Sequence, residues 1–351
     1  AVVRPRTSYE RGEIMGYCYK TQDLQQVFSA LTETYDLYAP KLFLKKGAFS
    51  DTDLVRYGRI TSPEEIVLDR KSRFSPKEVL LPISQTLFYF TEDKVTEPNP
   101  PKKDAVIFLR SCDLHAVRRL DHIYLENGPE DSYYRQLRDH VKFALLGCPS
   151  CFDSCFCVDM GTNKNLDYDF SLDLTGDTWK TDVKWPEQEA LFQKYSVSEE
   201  SVTPSFVTET KTRVHIPESL TAKAAKSSIW KEYDSRCINC GRCNFSCPTC
   251  TCFTMQDLFY TDNGKVGERR RVWASCMVDG YTDVAGGGSY RKTNGERMRF
   301  KVMHKALDFK QRAGYQMCVG CGRCDDVCPE YISFSHCLNR LSDAMKEVED
   351  L

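Results

Sequence analysis

The chain has 351 residues, 41% hydrophobic and 28% charged, with 48 Lys and Arg against 50 Asp and Glu for a formal charge of −2. Its length suits roughly two domains, no apolar run approaches the eighteen or so residues that span a bilayer, and the balanced charge argues against nucleic acid as a partner. Eighteen cysteines are too many for ordinary core filling, and a chain this long has no need of disulfide staples, so metal binding becomes the leading idea.

The first residues, AVVRPRTSYERGEI, are charged and carry no apolar stretch of a secretory signal, so a reducing, cytoplasmic location is expected. Leu24, Val27, Phe28 and Leu31 recur at i, i+3, i+4 and i+7, which predicts an amphipathic helix over about 22–34 with a core-facing stripe. Residues 79–90 read as a strand or buried segment broken at Pro82, and 92–104 as a polar loop. The order that follows is β-α-α-β: an apolar strand over 104–109, helices over 113–125 and 131–140, and a second buried strand over 141–146. If the two strands are parallel neighbours, their carboxyl ends lie side by side, and Cys112 and Cys148 each come just after one of those ends. A linking segment with some short strands is expected between Tyr195 and Ser227.

The strongest signal is Cys237-x2-Cys240-x2-Cys243-x3-Cys247-Pro248, repeated as Cys318-x2-Cys321-x2-Cys324-x3-Cys328-Pro329. Such a run wraps three thiolates around one face of a four-iron cube, and in doubled runs the fourth cysteine ligates the other cluster. The expected ligand sets are therefore Cys237, Cys240, Cys243 and Cys328 for one [4Fe-4S] cluster, and Cys318, Cys321, Cys324 and Cys247 for a second. Structural zinc prefers paired CxxC units separated by a longer gap. Between the runs lies an insert, about 250–315, that holds Cys250, Cys252 and Cys276, the triplet Arg269 to Arg271, and Gly286 to Gly288. The triple glycine lacks the residues of a phosphate loop and reads as a turn, and the arginines read as a solvated face. For the three insert cysteines, ligation and packing both stay open.

Cys148-x2-Cys151-x3-Cys155-x-Cys157, joined by Cys112 at the neighbouring strand end, makes five thiols. A third four-iron cluster on Cys112, Cys148, Cys155 and Cys157 is the expectation, with Cys151 in reserve, against the alternative of buried structural thiols. His115 reads as solvated or packed, and so do His336, Cys337 and Cys18. No Ser-His-Asp order, HExxH or paired carboxylate frame is present, so no substrate chemistry is expected of the chain itself.

Several phrases together, SCDLHAVRRLDHIYLE, DSYYRQLRDHVKFALLGCPSCFDSCFCVDMGT, CINCGRCNFSCPTCTCF, RRRVWASCM with GGGSYR, and CVGCGRCDDVCP, resemble the iron–sulfur electron-transfer component of anaerobic sulfite reductases. They also resemble, more broadly, the beta subunits of soluble nickel–iron hydrogenases. The likeness covers about residues 104–340. The cysteine distribution and the element order divide the chain into an α/β N-terminal domain over 1–210 and an α+β ferredoxin-like domain with two [4Fe-4S] clusters over 227–351, interrupted by the insert. The resemblance implies cluster ligation by the eight ferredoxin-type cysteines, and metal ligation by Cys112, Cys148, Cys155 and Cys157. The function it implies is electron relay in a hetero-oligomer, from a flavin- and NADH-binding subunit to a sirohaem subunit that reduces sulfite to sulfide. The alternative it leaves is the beta subunit of a nickel–iron hydrogenase or sulfhydrogenase.

Overall fold

The computed structural model describes residues 16–349, so the expectation about the first residues lies outside the described part. The N-terminal half begins with β1 (Gly16–Tyr19), the helix Thr21–Thr34, and the antiparallel pair β2 (Tyr35–Phe43) and β3 (Leu54–Ile60). A second antiparallel pair, β4 (Ser84–Phe90) and β5 (Val95–Thr96), follows. Then come β6 (Asp104–Leu109), β7 (Val141–Leu146), β8 (Phe170–Thr175), β9 (Thr178–Asp182) and β10 (Ser198–Glu200). The C-terminal half contributes β11 (Phe253–Phe259), β12 (Gly267–Trp273), and a small hairpin of β13 (Asp283–Val284) and β14 (Gly288–Ser289).

Eight strands form one mixed sheet in the order β10-β1-β9-β8-β7-β6-β2-β3. Its centre is parallel, β2 with β6, β6 with β7 and β7 with β8, which is why DAVIFL and VKFALL are almost wholly apolar: strands covered on both faces have no solvent side to keep polar. The helix Thr21–Thr34 buries Leu24, Val27, Phe28 and Leu31 on one face of this sheet, with Phe28 and Phe108 ring centroids 5.4 Å apart. The opposite face receives the helix Ser111–Asp121, through Leu114, Val117 and Leu120. The β-α-α-β expectation therefore stands, with the first helix passing into a wider π-turn over His122–Glu126. The 79–90 segment divides into a single helical turn, Lys77–Leu80, and β4 beyond Pro82.

The expected link between Tyr195 and Ser227 carries one short strand, β10, and no strand over 201–221. One expectation needs correction. The strands of the insert do not build a self-contained ferredoxin-like unit. β11 and β12 form an antiparallel pair, and β12 then pairs with β4, about 180 residues earlier, in a four-stranded sheet ordered β11-β12-β4-β5. The physical reason is that β4 needs a ladder partner that the large sheet does not offer. β12 supplies one, with Arg271 placed to bond both Gln85 Oε1 (2.8 Å) and the Asp131 carboxylate (2.6 Å). The cysteine runs themselves sit on short helices against the long helical segment 294–313.

Candidate metal centres

The two repeats adopt matching backbone shapes. Asn239 and Gly320, at equivalent places in CINC and CVGC, have φ of +60° and +63°, and Gly241 and Gly322, one residue past the second cysteine, have φ of +71° and +69°. Each loop thereby curls back on itself before the short helices Arg242–Ser246 and Arg323–Asp326. In the second repeat glycine is required twice over. A Cβ on Gly322 would lie 2.2 Å from the Ser154 carbonyl oxygen, and one on Gly320 would lie 2.6 Å from the Phe156 carbonyl.

The fold gathers the eight cysteines around two adjacent cavities. One is lined by Cys237, Cys240, Cys243, Cys324 and Cys328, with Met277 and Met298. The second is lined by Cys243, Cys247, Cys318, Cys321 and Cys324, together with Phe156 and Pro248. Cys328 thus lies with the first run and Cys247 with the second, while Cys243 and Cys324 border both cavities.

The donor set fits an anionic cluster. Lys77, Lys301 and Lys305 are buried around these cavities, and no carboxylate pairs with any of them among the described residues. Thiols and one another's ammonium groups surround them: Cys243, Cys324 and Cys250 for Lys301; Cys247, Cys250, Cys318 and Lys301 for Lys305; Cys250, Cys247 and Lys305 for Lys77. Lys305 Nζ lies 3.5 Å from Cys247 Sγ and 2.9 Å from Thr249 Oγ1, while Lys301 lines both cavities. Buried ammonium groups are costly unless an anion faces them, and a cluster dianion meets that need. Burial pushes the bare thiol of Cys318 up to about 11 and that of Cys321 up to about 12, so thiolate formation there requires a metal. Backbone amides add support: Gly320 N–H donates to Cys318 Sγ (3.5 Å) and Ile332 N–H to Cys328 Sγ (3.3 Å).

The third thiol group also converges. Cys112 starts the helix after β6, and Cys148 follows β7, its neighbour in the sheet. Cys157 lies within electrostatic reach of Cys155, Cys148 and Cys321, and Cys112 within reach of Cys157 and Cys321. Burial, then these neighbouring thiols, push Cys157 up to about 12. Cys151 stands beside Cys148 on the outer side, toward the exposed Lys211. The loop 148–157 is clamped onto the second repeat: Phe156 N–H donates to Gly320 O (2.8 Å), Thr162 Oγ1 to Val319 O (2.6 Å), and Cys155 Sγ to Cys321 O (3.7 Å). The three thiol groups are therefore contiguous, with Phe156 and Lys301 at the junctions.

The remaining candidates separate cleanly. The His115 ring lies against Lys164 O (2.9 Å), His336 is exposed, and Cys18 is buried in β1. Cys337 is buried and meets the Tyr233 hydroxyl at 3.1 Å. Gly286 and Gly287, both at positive φ, turn the β13–β14 hairpin. Arg269 pairs with Asp257 and Arg270 with Glu268, both partly solvated, whereas Arg271 is buried, so the solvated-face reading holds for two of the three. The three lysines escaped the sequence reading because nothing in a helix pattern distinguishes a buried lysine from a surface one. Of the insert cysteines, Cys252 contacts Cys276, and Cys250 contacts Cys247.

The eight-cysteine arrangement defines an iron–sulfur protein of the dicluster class, and residues 236–332 match the 4Fe-4S dicluster domain family. The chain holds two [4Fe-4S] clusters. It is similar to the sulfhydrogenase 2 subunit beta of Pyrococcus furiosus, with 28% identity over 338 residues that cover 91% of this chain and 96% of that relative. No solved structure matches the chain. No helix among the described residues is long and apolar enough to cross a membrane.

Proposed function

We propose that the chain is the beta, electron-transfer subunit of a soluble hydrogenase of the sulfhydrogenase type, working in a hetero-oligomer with two kinds of partner, one holding the catalytic metal and one binding flavin and NADH. The observation that carries this reading is the similarity to the sulfhydrogenase beta subunit, which runs through nearly the whole of both chains, together with the two cysteine-lined cavities. It ranks above the sulfite-reductase reading because the relative that the chain matches over 91% of its length is a sulfhydrogenase subunit.

In this reading Cys237, Cys240, Cys243 and Cys328 hold one cluster, Cys247, Cys318, Cys321 and Cys324 the second, and Cys112, Cys148, Cys155 and Cys157 a third, with Cys151 outside the set. A bound [4Fe-4S] cluster takes up and releases one electron at a time. The protein's part is to exclude water and hold charge. Phe156, Val319 and Phe334 close the middle cavity, while the buried lysines hold positive charge beside it. The two ends reach the surface: Cys240 and Ile238 are exposed at one, Cys148 and Cys151 half-buried at the other, which gives each partner its own docking point.

Anaerobic purification of the native complex tests the assignment. The expected result is nickel in the complex and hydrogen-dependent dye reduction. Sirohaem with sulfide formation from sulfite would overturn it in favour of the sulfite-reductase reading. The third site is tested separately by iron analysis, for which about twelve iron atoms per chain are expected, falling to about eight in Cys155→Ser. A wild-type value of about eight removes the third cluster.

A further inference from the structure

The β11–β12 ladder brings together two thiols that the cluster assignments leave unused. Phe253 pairs with Trp273, and the ladder continues one step further, with Ala274 N–H donating to Cys252 O at 2.9 Å. This register sets the Cys252 and Cys276 side chains in hydrogen-bonding contact, both as free thiols. The pair lies beside the first cysteine run. Asn244, next to Cys243, donates from Nδ2 to Cys276 Sγ (3.1 Å), and Cys250, two residues before Cys252, contacts Cys247.

Other uses fit less well. Cys18 and Cys337 are packing thiols, each buried with no second thiol in contact, whereas Cys252 is half-buried and lines a small crevice with Cys250, Tyr124, Arg271 and Trp273. The contact with Cys276, and then the ammonium groups of Lys305 and Lys77, hold the Cys252 thiol down at about 6 against the effect of burial, the character of a thiol poised for disulfide exchange.

We propose that Cys252 and Cys276 form a reversible disulfide that exchanges electrons with the neighbouring iron–sulfur clusters, a two-electron centre set beside one-electron ones. In the reducing direction the Cys252–Cys276 S–S bond breaks as it takes up two electrons, one at a time from the clusters of this chain, and two protons that enter through the crevice. Two thiols result. In the oxidising direction the two thiols release two protons and two electrons to the clusters, and the S–S bond re-forms. The inference requires that the clusters be present but not that the partner be a hydrogenase.

The test uses the anaerobically purified holoprotein, poised either with dithionite or with oxidised glutathione, then quenched in acid, denatured and alkylated before peptide mass spectrometry. The expected result is a Cys252–Cys276 linked peptide in the oxidised sample, and two alkylated thiols at those positions in the reduced one. Cys276→Ser is expected to keep its iron content and visible spectrum while Cys252 becomes alkylated at both poises. Free thiols at both positions under both conditions overturn the proposal. So does a loss of about four iron atoms in both Cys252→Ser and Cys276→Ser, which would make these residues cluster ligands.

Discussion

Replacing Arg323 by methionine is expected to destabilise the protein by about 3–5 kcal/mol, because it breaks a buried ion pair and leaves one charge without its partner. Arg323 and Asp113 are 3% and 0% exposed and meet through two parallel bonds of 2.6 and 2.8 Å, while Ser72 accepts two further bonds at 3.1 and 3.2 Å. The methionine fills part of the volume but strands the Asp113 carboxylate in a site without water. The effect is read from anaerobic urea unfolding, followed by loss of the cluster absorbance near 400 nm. Arg323→Met combined with Asp113→Leu is expected to be more stable than Arg323→Met alone, since no charge is left unpaired. A single variant within about 0.5 kcal/mol of wild type would mean that the pair does not hold the halves together.

Lys301→Met is expected to lower the potentials of both ferredoxin-type clusters. The Lys301 ammonium lines both cavities, carries no carboxylate partner among the described residues, and stacks 5.0 Å from the Phe334 ring centroid. A unit positive charge about 6 Å from a cluster that gains one electron is worth roughly 3 kcal/mol at an effective dielectric of 20, or about 120 mV for a one-electron couple. Methionine keeps the length of the side chain and removes the charge. Potentiometric titration followed by electron paramagnetic resonance measures the shift in each cluster. Arg299→Met, a charge change on the same helix with its side chain turned toward Ala225 O, serves as the control that moves neither potential. A change below about 20 mV in both clusters would show that Lys301 is screened from them.

The central strands β6 and β7 and the two cysteine runs were legible because their signals are local and periodic. DAVIFL and VKFALL can be little other than buried strands, and the doubled cysteine spacing dictates both loop shape and the exchange of the fourth cysteine. The placing of Cys112 and Cys148 after neighbouring strand ends was also legible, since it follows from the parallel pairing of β6 and β7. What escaped depends on distant partners. Arg242 and Arg323 occupy the same position in CGRC, yet the first is exposed and the second is buried against Asp113. What separates them is that Asp113 and Ser72 pack against Arg323. The pairing of β12 with β4 was hidden for the same reason, because Ser84–Phe90 and Gly267–Trp273 each read as ordinary strands with no mark of their partner. The Cys252–Cys276 contact follows from that ladder and was invisible without it.

The sheet shared by β4 and β12 bears on how the protein matures. During synthesis, β4 and β5 leave the ribosome long before the strand that completes their sheet, so an open edge persists while almost 180 residues are added. The middle cavity likewise draws its walls from residues 156 to 334, and closes only when the last cysteine run arrives. Cluster delivery therefore falls late, to a chain whose N-terminal strands still wait for closure. A fragment beginning near residue 227 would expose β12 along the side that β4 covers, and would not serve as a free-standing ferredoxin.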